Sequence, residues 1–402
     1  MVADFIGGSL LLVVALLWSF AFQKRGDRGA FLFRLAILVK LAVLLVHYVV
    51  FPLPDSGADA KRFMGIAARL ALLPVNQFLD SFSTGASLYP WIVSIPMRLF
   101  GTGVFFAQAT NLILGSLNIV IAYRIMSLMW PERTAYYRAL FLLFFPAQIL
   151  YSVLSLREVF IATPCLVGVY LSARYVITKK INNYFWAGGF FVLSFLFHRG
   201  MAAVVIAWIL FFVADHIRQT YKGKVQVVVL GSVLLVLLVP FVYYILTFQD
   251  GFRSFLEAEG DSRIMMLSAT AIEARATYWT SYGTTSLVEL ILTFPLRVLF
   301  FLFAPIIPFM VRSPADLLAA LDSFLYMGLI AIFILRFKTF WENPVSRLLS
   351  IYTVLLIAVF SLGTTNYGTS VRHKNKAIPL LVVVLPPWRI KQEVRQRRRY
   401  WQ

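Results

Sequence analysis

Long apolar runs dominate the chain, each about 17–25 residues, with short connections rich in Lys and Arg between them. A run of this length crosses the hydrocarbon core of a bilayer once as an α-helix. Sixty per cent of the residues are hydrophobic and 14% are charged, proportions that exclude a soluble globular domain. The sequence therefore predicts an all-α polytopic integral membrane protein with a single transmembrane domain, residues 1–402.

The basic connections predict the orientation, because Lys and Arg are retained on the cytoplasmic side of membrane spans. This rule gives a bundle of about eleven transmembrane helices with the N-terminus outside and the C-terminus inside. The first run has no basic residue before it and Lys24 after it, the reverse of a signal peptide. Outside lie residues 51–103, 249–322 and 363–376, and a basic cytoplasmic tail covers 389–402.

Two apolar segments do not fit this count. Leu88–Phe100 is too short to cross, and Leu287–Phe303 carries Glu289 and Arg297. We expect both to be amphipathic helices that lie on the outer membrane surface or re-enter it.

The formal charge of +19 resides in the connections and the tail. This distribution predicts contact between the tail and anionic lipid, and it argues against nucleic acid as a partner. Cys165 is the single cysteine, so a disulfide framework and a cysteine zinc site are excluded.

Several ionisable residues share the predicted outer face. Each costs about 2.5–3.5 kcal/mol near bilayer depth, so a group of them predicts a common polar cavity. A helix boundary or an interfacial turn would also explain each residue taken singly. The group comprises Asp55, Asp59, Lys61, Arg62, Arg157, Glu158, His198, Arg199, Arg372, His373, Lys374 and Lys376.

The cations of segment 363–376 oppose the positive-inside rule, which indicates a bound anion. A lipid-linked phosphate or pyrophosphate fits, because a guanidinium with neighbouring amines matches its oxygens. Arg372, His373 and Lys374 are the predicted donor-phosphate ligands, with Arg199 and Arg157 beside them.

A carboxylate could deprotonate an acceptor hydroxyl in sugar transfer, and Asp59 and Asp55 are the candidates. Asp59 could equally cap the helix that the following residues predict. The sequence does not choose between these two readings.

Predicted sugar-binding residues are Tyr278, Trp279 and Tyr282, together with His198. Aromatic rings beside carboxylates suit carbohydrate faces, and they are equally typical of an interfacial aromatic belt. Metal-ligand spacings, dinucleotide and P-loop fingerprints and a nucleophile elbow are all missing from the sequence, which disfavours ATP-driven transport and hydrolase chemistry.

Three stretches of roughly the first 175 residues, taken together, resemble the GT-C superfamily of membrane glycosyltransferases: residues 59–63, residues 89–101 with Asn111, and residues 145–152 with Arg157 and Glu158. Residues 366–373, followed by Pro379, resemble the late outer loop of Wzy-type surface-polysaccharide polymerases. The chain departs from the pattern in having Phe63 where a tyrosine is common and in ending in a basic tail.

This resemblance implies a sugar donor on a polyprenyl phosphate or diphosphate. It implies that Asp59, or its neighbour Asp55, is the catalytic or metal-associated acid of the first outer loop, with Mg²⁺ or Mn²⁺ as the candidate metal. Glu158 matches the acidic residue of the second outer turn, and Arg372 matches an arginine that meets the carrier phosphate.

The resulting prediction is a GT-C-type glycosyltransferase of the bacterial inner membrane with its active site facing the periplasm. It transfers a saccharide from the lipid-linked donor to a glycan or glycolipid acceptor of the cell surface. A repeat-unit polymerase of O-antigen, capsule or exopolysaccharide is the nearest alternative. A lipid-linked oligosaccharide flippase is a further one, and it requires polar residues through the bilayer midplane.

Overall fold

The structure, a computed structural model, describes residues 2–21, 27–220, 287–305, 311, 313–364 and 366–385. These residues form helices joined by short connections, with no strand among them, which confirms the all-α prediction. The helices are α1 Val2–Ala21, α2 Arg28–Val49, α3 Ala58–Ala71, α4 Val75–Asp80, α5 Leu88–Phe100, α6 Val104–Met129, α7 Glu132–Leu143, α8 Pro146–Val153, α9 Glu158–Thr178, α10 Ile181–Phe197, α11 Ala202–Thr220, α12 Leu287–Phe303, α13 Pro314–Leu335, α14 Phe337–Trp341, α15 Pro344–Leu362 and α16 Tyr367–Val384.

Six of the described helices are long and apolar enough to cross a membrane: α1, α2, α6, α9, α13 and α15. Helices α7 and α8 meet at 60° and form one further broken span if taken together. Shorter apolar helices occur in α10, α11 and α12. The protein is therefore an integral membrane protein, and the predicted eleven spans include residues 225–248, outside the described residues.

Helix α9 lies centrally, in contact with α6, α10, α15 and α16. Small residues allow these close approaches: a Cβ on Gly168 of α9 would lie 2.7 Å from the ring of Phe191 on α10. Lipid tails are as apolar as the side chains, so the hydrophobic effect does not drive membrane helices together. Close van der Waals packing of this kind stabilises their association instead. The first residue of α9, Glu158, is thereby held in the interior of the bundle.

The segment between α2 and α6 forms the predicted amphipathic layer. Helix α3 buries Ala60, Phe63, Met64 and Ala67 on one face and packs beside α5, where the rings of Phe63 and Tyr89 meet edge to face. With 13 residues, α5 is shorter than the roughly 20 that a span needs. Asp59 lies in the first turn of α3 and so belongs to this layer.

Two of the segments predicted as outer loops are helical in part. Helix α13 begins at Pro314, so Asp322, expected at the end of an outer loop, is fully buried within a helix. Helix α16 begins at Tyr367, so most of the predicted loop 363–376 is helical. Asn366 explains this start, because its side chain accepts hydrogen bonds from the backbone N–H groups of Gly368 and Thr369.

Candidate functional site

One guanidinium joins three distant parts of the chain. Arg372 of α16 donates from Nη1 to Asp59 Oδ2 at 2.5 Å and from Nε to Glu158 Oε1 at 3.1 Å. The Glu158 side chain is 2% exposed, that of Arg372 18% and that of Asp59 40%. The buried carboxylate and the guanidinium therefore form the base of the site, and Asp59 forms its rim.

Asp59 is not the helix cap that the sequence left open. Gly57 is the N-cap of α3 and makes no side-chain capping bond, whereas Asp59 lies in the first turn. Its carboxylate contacts Arg372. A position in a first helical turn favours the ionised form of a carboxylate, as it does for Glu158 at the start of α9.

The electrostatics keep Asp59 ionised. Burial raises the pKa of Asp59, but the hydrogen bond and charge of Arg372, with the charges of Arg62 and Arg157, outweigh burial. The net result is a pKa below the usual 3.8. A carboxylate in this condition holds a cation well and takes up a proton poorly.

A cavity of about 230 Å³ opens at this network. Four lining side chains are basic and two are carboxylates. Burial lowers the pKa of Lys376 to about 7, so the walls carry a net charge between about +1 and +2 at neutral pH. Such a cavity is suited to an anion with a charge of one or two, such as a phosphate. The lining residues are Asp59, Arg62, Phe63, Ala86, Arg157, Glu158, His198, Thr369, Arg372, His373 and Lys376.

Two histidines border the cavity from different helices. The rings of His198, after α10, and His373, in α16, lie 5.3 Å apart at 86° to each other. Burial, with the charges of Lys376, Arg157 and Arg372, holds the pKa of His198 well below its usual 6.5. His198 is therefore neutral at physiological pH.

Comparison with known protein families adds to this geometry. Residues 85–244 match the model of the dolichyl-phosphate-mannose-protein mannosyltransferase family. The domain that this model describes belongs to the GT-C superfamily, so the match confirms the resemblance seen in the sequence. It supports a membrane glycosyltransferase of the GT-C type with a lipid-linked donor. No curated protein and no solved structure matches the chain.

The GT-C match includes Arg157, Glu158 and His198, and the structure brings Asp59, Arg372 and His373 to them. The predicted shared cavity thus contains these six residues together with Lys376, all of which were expected to share it. Asp55 lies next to it: its Oδ2 accepts a hydrogen bond of 2.7 Å from the buried hydroxyl of Tyr151, and its backbone is left-handed, with φ of 61°.

Two predicted phosphate ligands do not border the cavity. Arg199 is exposed and begins a 3₁₀ turn beyond His198, of which Gly200 and Met201 are buried. Lys374 is fully buried and donates to Leu302 O and Ser323 Oγ, both at 3.1 Å. The helical geometry of α16 explains this placement, because a residue two positions from Arg372 lies on the opposite face.

The cavity face of α16 carries Thr369, Arg372, His373 and Lys376, spaced three, four and seven residues from the first. Thr369 was not among the predicted residues, whereas Lys376 and Arg62 of α3 were expected on this face without an assigned ligand role. The spacing was visible in the sequence, but residues 363–376 were interpreted as a loop, which hid it. Tyr278, Trp279 and Tyr282 lie outside the described residues.

The side chains around the cavity do not suit a divalent cation as ligands. Within the described ranges, no three side chains from His, Cys, Asp and Glu come together as metal ligands. Both cavity carboxylates are paired with Arg372, and the surplus of positive charge in the walls would repel a metal cation. The Mg²⁺ or Mn²⁺ site stays a prediction, and no chemical step is derived through it.

Proposed function

We propose that this GT-C-type protein transfers a saccharide from a polyprenyl-phosphate or polyprenyl-diphosphate donor to a surface-glycan acceptor. The reaction takes place in the cavity around Arg372, on the outer face of a bacterial inner membrane. The observation that carries the proposal is the convergence of Asp59, Glu158 and Arg372 from three segments in a cationic cavity.

The cavity chemistry supports a phosphate leaving group. Arg372 is fixed by two carboxylates, so its guanidinium is held in one orientation before substrate arrives. Arg62, Arg157 and Lys376 add charge around it. These cations stabilise the negative charge that builds up on the carrier phosphate as the sugar departs.

The bond changes follow from the substrates. The acceptor hydroxyl oxygen forms a bond to the anomeric carbon, and the bond from that carbon to the phosphate oxygen breaks. The bonding electrons leave with the carrier phosphate, and the hydroxyl proton passes to a base. Asp59, the predicted base, has a second role in the structure as the charge partner of Arg372.

Buried polar residues also bear on the flippase alternative. Lys40, Asp322 and Lys374 lie inside the bundle, each fully buried. Buried ionisable groups are what the flippase alternative requires, but none of these three lines the cavity around Arg372. The cavity, with its cations and its neutral histidine, favours a transferase.

The test uses the full-length protein in liposomes with a radiolabelled polyprenyl-phosphate sugar and a glycan acceptor. Asp59→Asn should lower the transfer rate about 100-fold or more in either role of Asp59. Asp80→Asn is the matched control, because Asp80 is exposed on α4 and does not line the cavity. Full transfer by a folded Asp59→Asn protein would refute the assignment of Asp59.

Product analysis separates the alternatives. A transferase releases carrier phosphate and adds one saccharide unit, whereas a polymerase gives a ladder of repeat units. Movement of the intact donor across the membrane without release of carrier phosphate would instead identify a flippase and refute the proposed function.

A further inference from the structure

The hydrogen bonds around His373 assign its tautomer. Thr364 Oγ1 donates its single proton to Phe360 O at 2.6 Å, so this oxygen acts as acceptor in its 2.9 Å contact with His373 Nδ1. The proton of the neutral ring therefore resides on Nδ1. The lone pair on Nε2 remains for the cavity that the ring borders.

His198 has the opposite tautomer. Its Nδ1 accepts the backbone N–H of Gly200 at 3.0 Å, so the proton of the neutral ring resides on Nε2. The two neighbouring rings thus present one acceptor and one donor to the same cavity. A sugar hydroxyl, which both donates and accepts, matches such a pair.

Neither carboxylate of the cavity is well placed as a base. Asp59 and Glu158 each hold Arg372, and proton transfer to either would weaken the ion pairs that fix it. The Nε2 atom of His373 takes no part in these ion pairs. A neutral imidazole near pH 7 is also the commonest general base in proteins.

We infer that His373 Nε2 takes the proton from the acceptor hydroxyl, while the Nε2–H of His198 holds an oxygen of the bound saccharide. This inference rests on the proposed function and assigns the proton acceptor within it. The hydroxyl oxygen forms its bond to the anomeric carbon as the proton moves to Nε2, and the electron pair of the broken bond leaves on the carrier phosphate.

The charged groups around His373 set the conditions for this step. Lys376 and Arg372 lie on its own helix, Arg157 and Glu158 face it from the start of α9, and Asp59 and Arg62 face it from α3. Burial of the ring, followed by the charges of Lys376, His198, Arg372 and Arg157, holds the pKa of His373 well below its usual 6.5 in the free protein. A bound donor phosphate offsets these charges, so the ring becomes a better base once the donor is in place.

The closing experiment measures kcat, donor KM and acceptor KM across pH 5–9 in proteoliposomes. His373→Gln keeps a polar group near Nε2 but cannot accept the proton. We expect kcat to fall about 100-fold or more, donor KM to change little, and the acidic limb of the kcat profile to disappear. His47→Gln is the control, because His47 lies in α2 and does not border the cavity.

Asp59→Asn distinguishes the two possible bases. The inference requires the residual activity of Asp59→Asn to keep the acidic limb of the kcat–pH profile. Loss of that limb in this variant would overturn the inference and identify Asp59 as the base. A His373→Gln protein with raised donor KM and unchanged kcat would show a phosphate ligand instead, which also overturns it.

Thr364→Val tests the tautomer of His373 without changing the ring. It replaces His373→Gln as the test of the inference if His373→Gln does not fold. Loss of the Thr364 acceptor should lower kcat about tenfold and shift the acidic limb, and an unchanged profile would contradict the inference. Wild-type protein that transfers no saccharide from any lipid-linked donor would refute the proposed function itself, a result distinct from all of these.

Discussion

The Arg372 network predicts an unequal effect on stability for its members. Replacement of Arg372 with Met leaves Glu158, with a 2% exposed side chain, as a buried charge without its partner. Breaking a buried pair in this way costs about 3–5 kcal/mol. The Asp59 carboxylate is 40% exposed, so its pair with Arg372 contributes about 0–1 kcal/mol after solvent screening.

We therefore expect Arg372→Met to lower the unfolding free energy several times more than Asp59→Asn. Adding Glu158→Gln to Arg372→Met removes the stranded charge and should restore more than half of the loss. The double variant should then be folded but inactive, which separates stability from chemistry.

Equilibrium unfolding in mixed micelles titrated with dodecyl sulfate, followed by circular dichroism, measures all four proteins on one scale. Equal losses for Asp59→Asn and Arg372→Met would refute this reasoning. So would a double variant that is no more stable than Arg372→Met, because burial of Glu158 would then not be the cause.

Four further predictions follow from the site. Arg372→Lys keeps the charge but loses the planar fork, so donor KM should rise about 10- to 100-fold in steady-state transfer assays, equivalent to about 1.5–3 kcal/mol. The Asp59 pKa is lowered on folding, so the stability difference between wild type and Asp59→Asn should be constant above about pH 5 and vanish as pH falls below 3.8, as measured by unfolding titrations at each pH. Transfer should persist after dialysis against EDTA, and activity restored specifically by Mg²⁺ or Mn²⁺ would show that a metal site was missed. In a Cys165→Ala background, Lys61→Cys should react with an impermeant maleimide added to intact cells and Asn182→Cys should not, and the reverse pattern would show that the orientation is inverted.

The sequence predicted the membrane class and the meeting of Asp59, Glu158 and Arg372. Charge placement was sufficient for this, because the positive-inside rule assigns each connection to one side of the membrane and so limits which ionisable groups can meet. It could not give the pairing itself. That depends on the packing of α3 and α16 against α9, which no local pattern encodes.

The site predictions were wrong where local backbone structure determines which way a side chain points. Lys374 and Lys376 are equivalent by charge and depth, yet one is sealed in the bundle and the other borders the cavity, because residues 367–376 are helical. Arg199 and His198 are adjacent, but the 3₁₀ turn at Arg199 separates them. Asp59 lost its capping role because Gly57 starts α3 two residues earlier.

The separation of the network along the chain has a consequence for biogenesis. Arg372 lies 313 residues after Asp59 and 214 after Glu158. Because the chain is inserted from its N-terminus, both acids enter the membrane region long before their counter-ion is synthesised. Until α16 arrives, the early bundle must therefore hold both acids with only Arg62 and Arg157 as nearby counter-charges, and a chain that stops short of α16 keeps this defect. A ribosome-bound nascent chain should become resistant to proteolysis at the start of α3 only when Arg372 has emerged.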